Sequence, residues 1–77
     1  MTVVIYSTTW CHFCKEAKKF FTENKIEFKE INVEEDQKAA EEMVQKSGQM
    51  GVPVIDIDGT IIVGFDRAKI KKALKMP

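Results

Sequence analysis

The hydrophobic positions of the chain change period several times, and each change marks a predicted element. Residues 2–6 form an unbroken β-branched and aromatic run, which is typical of a strand buried on both faces of an α/β sheet. Residues 11–24 carry apolar side chains three and four positions apart, which predicts an amphipathic helix. Its inner stripe comprises Cys14, Ala17, Phe20, Phe21 and Asn24. Residues 27–32 are a weaker, charge-rich strand, which we expect at a sheet edge.

A second helix follows, with two candidate starting points. Asp36 suits the N-cap position, whereas Asn32 with Glu35 forms a competing capping pair. Gly48 is suited to end the helix, because glycine adopts the left-handed conformation that many helix ends require. The inner stripe that the spacing predicts is Ala40, Met43, Val44 and Ser47.

The last third of the chain predicts a hairpin and a third helix. Two β-branched runs, 54–57 and 60–63, flank Asp58 and Gly59. This dipeptide favours a type I′ turn, which needs positive φ at both central positions. The third helix starts near Asp66. Its expected inward side chains are Ile70, Ala73 and Leu74, and its last turns carry Lys71, Lys72 and Lys75.

The predicted order of elements is therefore β-α-β-α-β-β-α. The first β-α-β is expected to be a right-handed parallel unit, and the last two strands an antiparallel hairpin. That order matches the minimal thioredoxin fold, an α/β fold with a four-stranded mixed sheet and three helices. With 77 residues, the chain suits a single domain over residues 1–77 and is too short for two.

Charge and hydropathy exclude several classes of function. Lys plus Arg and Asp plus Glu both number 12, so no net basic field favours nucleic acid. The apolar start at residues 1–6 is followed at once by polar residues, and it is too short for a signal peptide or a membrane-spanning segment. We therefore expect a cytoplasmic protein without membrane contact, in a compartment that keeps thiols reduced.

Two cysteines three positions apart, Cys11 and Cys14, open the first predicted helix. A bridge between them closes a very small loop and offers little as a structural staple, so redox or metal chemistry is favoured. At a helix N-terminus the unpaired N–H groups and the dipole favour thiolate, and such motifs lower a thiol pKa to about 3.5–7.5 from about 8.5. We expect Cys11 to attack a substrate disulfide, and Cys14, one turn inward and more buried, to resolve the mixed disulfide.

The residues around the cysteines leave alternatives open. His12 is either a proton shuttle or an exposed residue that only tunes the redox potential. Trp10 either guards the sulfur and docks partners or packs the loop onto the sheet, and Phe13 is either a substrate contact or a lid on the core. The pair itself could also be two packed cysteines without chemistry, or half of a zinc site. Closed structural zinc usually takes four Cys or His ligands and the chain offers three at most, so we predict no metal site.

By its motifs the chain resembles the glutaredoxin family. The matching features are Tyr6 and Ser7, Cys11-His12-Phe13-Cys14, Gly51-Val52-Pro53, and Gly64-Phe65-Asp66, in the family's order and spacing. The resemblance implies that Pro53 is cis and faces the cysteine pair, and that Val52 offers its backbone to the substrate. It also implies that Gly64, Phe65 and Asp66 open the last helix and hold the γ-glutamyl end of glutathione, as helix N-termini suit carboxylates.

The resemblance further implies glutathione as co-substrate, protein disulfides as substrates, no bound cofactor and a monomer. The sequence departs from the family at Thr8, where Lys or Arg is usual, at Val63, where glycine is usual, and in having His-Phe rather than Pro-Tyr between the cysteines. Trp10 before Cys11 is similar to thioredoxin.

Three alternatives follow for the function. Gly64-Phe65 is similar to glutaredoxin-like redoxins that serve ribonucleotide reductase, which makes a flavoprotein of the thioredoxin-reductase type the alternative reductant. An iron–sulfur cluster shared by two chains through Cys11 is a second alternative, as in some glutaredoxins. A non-catalytic interaction domain is the third, and the two retained cysteines argue against it.

Overall fold

Four strands and three helices follow one another in the predicted order in the computed structural model, which describes residues 2–75. The elements are β1 (Val3–Ser7), α1 (His12–Glu23), β2 (Lys29–Asn32), α2 (Gln37–Ser47), β3 (Val54–Ile57), β4 (Thr60–Val63) and α3 (Arg67–Ala73). Each of these elements was expected from the sequence, and their ends differ from the predicted ones by no more than about two residues.

The strands form one mixed sheet in the order β2-β1-β3-β4. β1 and β2 are parallel, with Ile5 opposite Glu30, because α1 returns the chain to the same end of the sheet between them. β1 and β3 are antiparallel, with Ile5 opposite Ile55, and β3 pairs with β4 in the same sense. The mixed sheet, the parallel first unit and the edge position of the charge-rich strand are thereby confirmed.

Apolar side chains fill one layer on each face of the sheet. On the face covered by α1 and α3, the buried set is Val3, Ile5, Ala17, Phe21, Ile55, Ile57, Ile62, Ile70 and Leu74. On the other face α2 packs across β1 and β4, and the buried set is Tyr6, Ala39, Met43 and Val54. Successive residues of β1 serve opposite layers, which explains why its sequence is apolar almost without interruption.

Side-chain caps determine where the helices begin. Asp36 Oδ1 accepts a hydrogen bond from the N–H three residues on, at 3.0 Å, so Asp36 starts α2 and the competing Asn32–Glu35 pair does not. Asp66 caps α3 in the same way, at 3.1 Å. Gly48 ends α2 with φ 76°, as predicted.

The structure corrects three predicted positions. Ala39, not Ala40, is the buried alanine of α2: it packs with Met43 against the sheet, whereas Ala40 is only half-buried. Asn24 is exposed rather than inward, and its side-chain amide donates to Phe20 O at 2.8 Å as part of the helix end. Lys75 lies beyond α3, at φ 58°, since that helix ends at Ala73.

The predicted hairpin between β3 and β4 is confirmed. Asp58 and Gly59 have φ values of 49° and 92°, as a type I′ turn requires. Asp56 Oδ1 accepts from Gly59 N at 2.8 Å, which holds the turn from inside β3. Nowhere in residues 2–75 does a helix have the length and apolar character needed to cross a bilayer.

Candidate active site

One end of the sheet gathers the three segments that the sequence singled out. β1 ends there at Ser7 and leads through residues 8–10 into the cysteine motif. Antiparallel pairing places the start of β3 at the same end, with Val54 opposite Tyr6. β4 ends there too, because Val63 lies opposite Val54. The cysteine loop, the Pro53 loop and the segment after β4 therefore meet at this end of the molecule.

The two cysteines form a disulfide across the first turn of α1, with their Cα atoms 5.1 Å apart. Cys11 is the N-cap residue of the helix, in an extended conformation with φ −89° and ψ 111°. Its Sγ accepts a hydrogen bond from Cys14 N at 3.0 Å, the place that a serine or aspartate oxygen takes at an ordinary helix start. The first sulfur therefore lies where unpaired N–H groups and the positive end of the helix dipole stabilise negative charge.

The two sulfurs differ in their access to solvent. Cys14 is 1% exposed and belongs to the buried side of α1, together with Ala17 and Phe21. Cys11 is half-buried. Of the two residues, Cys11 is therefore the one that a molecule in solution can reach.

The segment before β3 lies at the same end of the sheet as this pair. The Val52–Pro53 peptide bond is cis, as the resemblance implied, and Pro53 is fully buried. Pro53 O accepts from Gly64 N at 2.9 Å, so the Pro53 loop and the segment after β4 are tied together by backbone. Val52 is half-buried against the layer under α2.

Two large apolar side chains flank Cys11 and lie open to solvent. Trp10 is 87% exposed and Phe13 is 60% exposed, so neither packs onto the sheet or covers the core. Exposed aromatic side chains of this kind are typical of protein contact surfaces. His12 is also exposed; its ring meets Phe13 edge-on at 5.7 Å, and its Nε2 lies 3.7 Å from Glu16 Oε1.

The residues that follow β4, Gly64 to Asp66, make several contacts within the fold itself. Gly64 has φ 81°, which requires glycine's freedom at this turn. The Phe65 ring packs edge-on against Phe20 of α1 at 6.1 Å, and the Arg67 guanidinium lies 5.5 Å from its centre. Asp66 uses its carboxylate as the cap of α3. Gly64 is therefore the member of this trio whose backbone is tied directly to the Pro53 loop.

A polar cluster behind the cysteine loop was missed from the sequence. The buried Ser7 hydroxyl donates to Glu30 Oε2 at 2.8 Å, and the Lys18 ammonium lies 2.7 Å from the same oxygen. The hydrogen bond from Lys18 is the main cause that holds the pKa of Glu30 below its ordinary value, and the Ser7 hydroxyl acts in the same direction. Asn32 Nδ2 donates to Thr9 Oγ1 at 3.1 Å. We call this set, Ser7, Thr9, Lys18, Glu30 and Asn32, the loop clasp.

The loop clasp joins the cysteine loop to β2 and α1, and it borders a groove of about 400 Å³. No local sequence signal points to it, because its members come from β1, α1 and β2 and meet only after the sheet forms. Within the described range 2–75, no three His, Cys, Asp or Glu side chains gather closely enough to hold a metal ion.

Comparisons with known proteins agree with this geometry. The sequence profile of the Glutaredoxin family matches residues 3–62. An uncharacterized glutaredoxin-like 8.6 kDa protein in the rubredoxin operon of Clostridium pasteurianum is 48% identical over 73 residues, which span 95% of this chain and 97% of that protein. The glutaredoxin-like protein NrdH of Lactococcus lactis subsp. cremoris is 34% identical over 70 residues, spanning 91% of this chain and 96% of that one.

A solved structure adds a comparison of shape. The glutaredoxin-like protein NrdH-redoxin from Escherichia coli, described as having a thioredoxin-like activity profile, superposes with a TM-score of 0.84. The two sequences are 26% identical, and the match covers 94% of this chain and 93% of that one. The similarity in shape therefore extends over nearly the whole chain.

Proposed function

This chain belongs to the glutaredoxin family and is a thiol–disulfide oxidoreductase, and on that basis we propose that Cys11 is its nucleophile and Cys14 its resolving cysteine. The observation that carries the assignment is the position of Cys11 Sγ at the helix N-cap, bonded to Cys14 N, with Cys14 itself buried. The thiolate is the species that attacks a disulfide, and this position favours the thiolate.

The reaction balances as a two-electron exchange. The Cys11 thiolate attacks one sulfur of a substrate disulfide, forms a mixed disulfide and releases the other sulfur as a thiolate that takes up a proton. Cys14 then loses its proton and attacks Cys11 Sγ, which releases the second substrate thiol. The substrate is reduced to two thiols, and the protein is left with the Cys11–Cys14 disulfide that the structure contains.

The residues around the pair are proposed to hold the substrate protein. Trp10 and Phe13 supply an exposed apolar contact on either side of Cys11. Val52 offers its backbone beside the buried Pro53, and Gly64, Phe65 and Asp66 complete the same end of the sheet. His12, which is exposed, is proposed to tune the redox potential rather than to carry protons.

For the reductant we propose a flavoprotein of the thioredoxin-reductase type, with glutathione as a weaker co-substrate. Glutathione is an anion, and Thr8 offers a hydroxyl where a fixed cation would form a charge-assisted contact of about 1.5–3 kcal/mol. Val63 adds a side chain next to the turn at Gly64. The thioredoxin-like activity profile of the related NrdH-redoxin supports the same choice.

We propose that the chain acts as a monomer, as one domain over residues 1–77, on protein disulfides in the cytoplasm. The catalytic cycle requires a surrounding pool of reductant that returns Cys11 and Cys14 to thiols, and the cytoplasm supplies such a pool. The reaction needs no bound cofactor, because both electrons are carried by the two sulfurs.

A pair of cysteine variants tests the roles. Cys11→Ser is expected to lose all reduction of a disulfide protein, whereas Cys14→Ser is expected to accumulate a covalent mixed disulfide that intact mass spectrometry detects. Circular dichroism of both variants serves as the control for folding. Equal residual activity in the two variants, or trapping by Cys11→Ser instead, would contradict the assignment.

The reductant is tested by following NADPH consumption with the oxidised protein. Turnover is expected with a thioredoxin reductase and little turnover with glutathione and glutathione reductase. Thr8→Lys should raise the glutathione-dependent rate, and Thr22→Lys, which adds the same charge at an exposed site on α1 away from the cysteines, should not. Fast turnover of the unmodified protein with glutathione alone would make this an ordinary glutaredoxin.

A further inference from the structure

The charged residues are distributed unevenly between the two edges of the sheet. Residues 67–75, which form and follow α3, contain five basic side chains and no acidic one. Residues 27–36, which contain and follow β2, have five acidic side chains and one lysine. Because β2 and β4 are the outer strands and α3 packs beside β4, the molecule has an acidic edge at β2 and a basic edge at β4.

At the basic edge, α3 and β4 border a groove of about 410 Å³. Its lining is Thr60, Ile61, Ile62, Lys69, Lys72, Ala73 and Lys75. These lysines form no ion pair with any other side chain between positions 2 and 75, in contrast to Lys18 and Lys46, which are both paired. The groove thus combines unpaired positive charge with an apolar floor.

The strand that borders this groove has an open side. In a hairpin with a two-residue turn, Ile57 and Thr60 form the first hydrogen-bonded pair, so Ile55 and Ile62 form the next. The N–H and C=O groups of Ile61 and Val63 therefore point away from β3, toward the edge where the described part of the chain supplies no further strand. Val63 is also 46% exposed. Such an edge can pair with an extended segment of another chain.

The open edge leads directly to the cysteine end of the sheet. Val63 is followed by Gly64, whose N–H bonds to Pro53 O. A segment lying along β4 would thus continue onto the end of the molecule where Cys11 lies, and it could be part of the same protein that presents the disulfide.

We propose that the β4 edge is a docking site for an extended acidic segment of a disulfide-bearing partner protein. The segment pairs by backbone with Ile61 and Val63, and its carboxylates lie against Lys69, Lys72 and Lys75. The proposal rests on the proposed function only in that the partner is a disulfide substrate. Opposite charges across an open edge favour this occupant and disfavour a basic or neutral segment.

The effect should fall mainly on the rate of association. Each exposed ion pair contributes little on its own, and salt screens it over about 10 Å at moderate ionic strength. Several like charges together steer an oppositely charged partner and raise its association rate, and that gain disappears at high salt.

Matched disulfide peptides test the proposal at low and high salt. One peptide carries a run of Glu and Asp beside its disulfide, and its control carries Gln and Asn at those positions. The protein is compared with the triple variant Lys69→Gln, Lys72→Gln, Lys75→Gln. A second triple variant, Lys25→Gln, Lys29→Gln, Lys38→Gln, removes the same charge from exposed positions elsewhere.

We expect the acidic peptide to be reduced about tenfold faster than its control at low salt, and the α3 triple variant to abolish that preference. The variant at Lys25, Lys29 and Lys38 should keep it. Backbone NMR should show the acidic peptide shifting the Ile61 and Val63 amides. Equal rates for the two peptides would overturn the proposal. The lysines would then serve only to keep the open edge from pairing with a second copy of the chain.

Two further results would also overturn it. Amide shifts confined to residues away from β4 would place the segment elsewhere, and concentration-dependent association of the protein alone at this edge would make a second copy the occupant. Reduction of hydroxyethyl disulfide, which is small and neutral, separates this proposal from the proposed function. Loss of that activity would count against the Cys11 chemistry, whereas its retention with no peptide preference counts against the docking site alone.

Discussion

Tyr6 and Ser7 are neighbours on β1, yet their hydroxyl groups serve opposite faces of the sheet. Ser7 donates to Glu30, which also holds the Lys18 ammonium, on the face of α1. Tyr6 accepts from Lys46 of α2 at 3.0 Å, and Lys46 also contacts Asp56 at 2.9 Å. Each face thus has a buried hydroxyl bonded to an ion pair.

The two clusters differ in what they hold. The Lys46 cluster ties α2 to β1 and β3, whereas the loop clasp also includes the separate bond from Asn32 of β2 to Thr9 in the cysteine loop. The apolar layers differ as well, because the layer under α1 and α3 is the larger one. The same bonding chemistry therefore ties α2 to the sheet on one face and the start of the cysteine loop to β2 on the other.

The largest expected effect is a loss of stability when a buried side chain is removed from either of the two apolar layers. Phe21→Ala should lower the free energy of unfolding by about 3–5 kcal/mol, because Phe21 is fully buried and packs against Phe28 at 5.8 Å. Met43→Ala should fall in the lower half of about 2–5 kcal/mol, since the layer around it is smaller and closes more easily on a cavity. Urea unfolding of both variants measures the difference. A larger loss at Met43 would show that α2, not α1, carries most of the stability.

A middle-sized effect is expected from Lys46→Met. The change removes the Lys46 donor from Asp56 Oδ2 and from the Tyr6 hydroxyl and should cost about 1–2 kcal/mol, with disulfide reduction unchanged. Lys38→Met, at an exposed position of the same helix, is the control and should be close to neutral. A fall in activity with Lys46→Met would remove the distinction between the two faces.

The pH dependence of this cluster has a definite sign. The Tyr6 hydroxyl and the Asp56 carboxylate raise the pKa of Lys46 above its ordinary value of 10.5. A raised lysine pKa stabilises the fold fully below the ordinary value, and the contribution is lost as pH rises through the raised one. The difference between the protein and Lys46→Met should therefore stay constant from neutrality up to about 10.5.

The smallest effect on stability, with the clearest effect on function, is expected from Glu30→Gln. Glu30 and Lys18 are both about one-third exposed, so the loss should be only about 0.2–1 kcal/mol. Because the loop clasp positions the cysteine loop, kcat/KM for a disulfide protein should fall by about 1.4-fold to fivefold, the kinetic equivalent of that energy. Glu34→Gln, which is exposed and outside the clasp, should change neither quantity.

Stability measured at acidic pH separates the contributions of the two polar clusters. The pKa of Glu30 is lowered chiefly by the hydrogen bond from Lys18, so its contribution is present above the ordinary value of 4.5 and is lost as pH falls through the lowered pKa. Unfolding curves of the protein and of Glu30→Gln should therefore converge in acid, whereas the Lys46 cluster loses its own contribution only in alkali. Coincidence of these two unfolding curves at neutral pH would show that the Glu30 carboxylate contributes nothing to stability there and would contradict its role in the loop clasp.

Local signals account for the parts of the structure that the sequence predicted. The Asp58–Gly59 turn was predictable because few residue pairs tolerate two positive φ values, and Asp66 because a capping side chain acts within three residues. Ala39 and Ala40 lie four and three residues before Met43, and both spacings place them on its side of α2, so only the packing against the sheet decides which is buried. The loop clasp joins residues up to 23 positions apart, so only the folded sheet reveals it. For Cys11 and Cys14, the spacing was sufficient to place the pair at the start of α1, where the structure has it.

A formal charge of zero at pH 7 describes only a sum. Retention on an ion-exchange resin depends instead on the patch that meets the bead. With residues 67–75 basic on one side and residues 27–36 acidic on the other, the protein should bind a sulfonate resin by one edge and a quaternary-amine resin by the other at the same pH. In solution it should orient in an electric field like a small dipole, although its net mobility is close to nil.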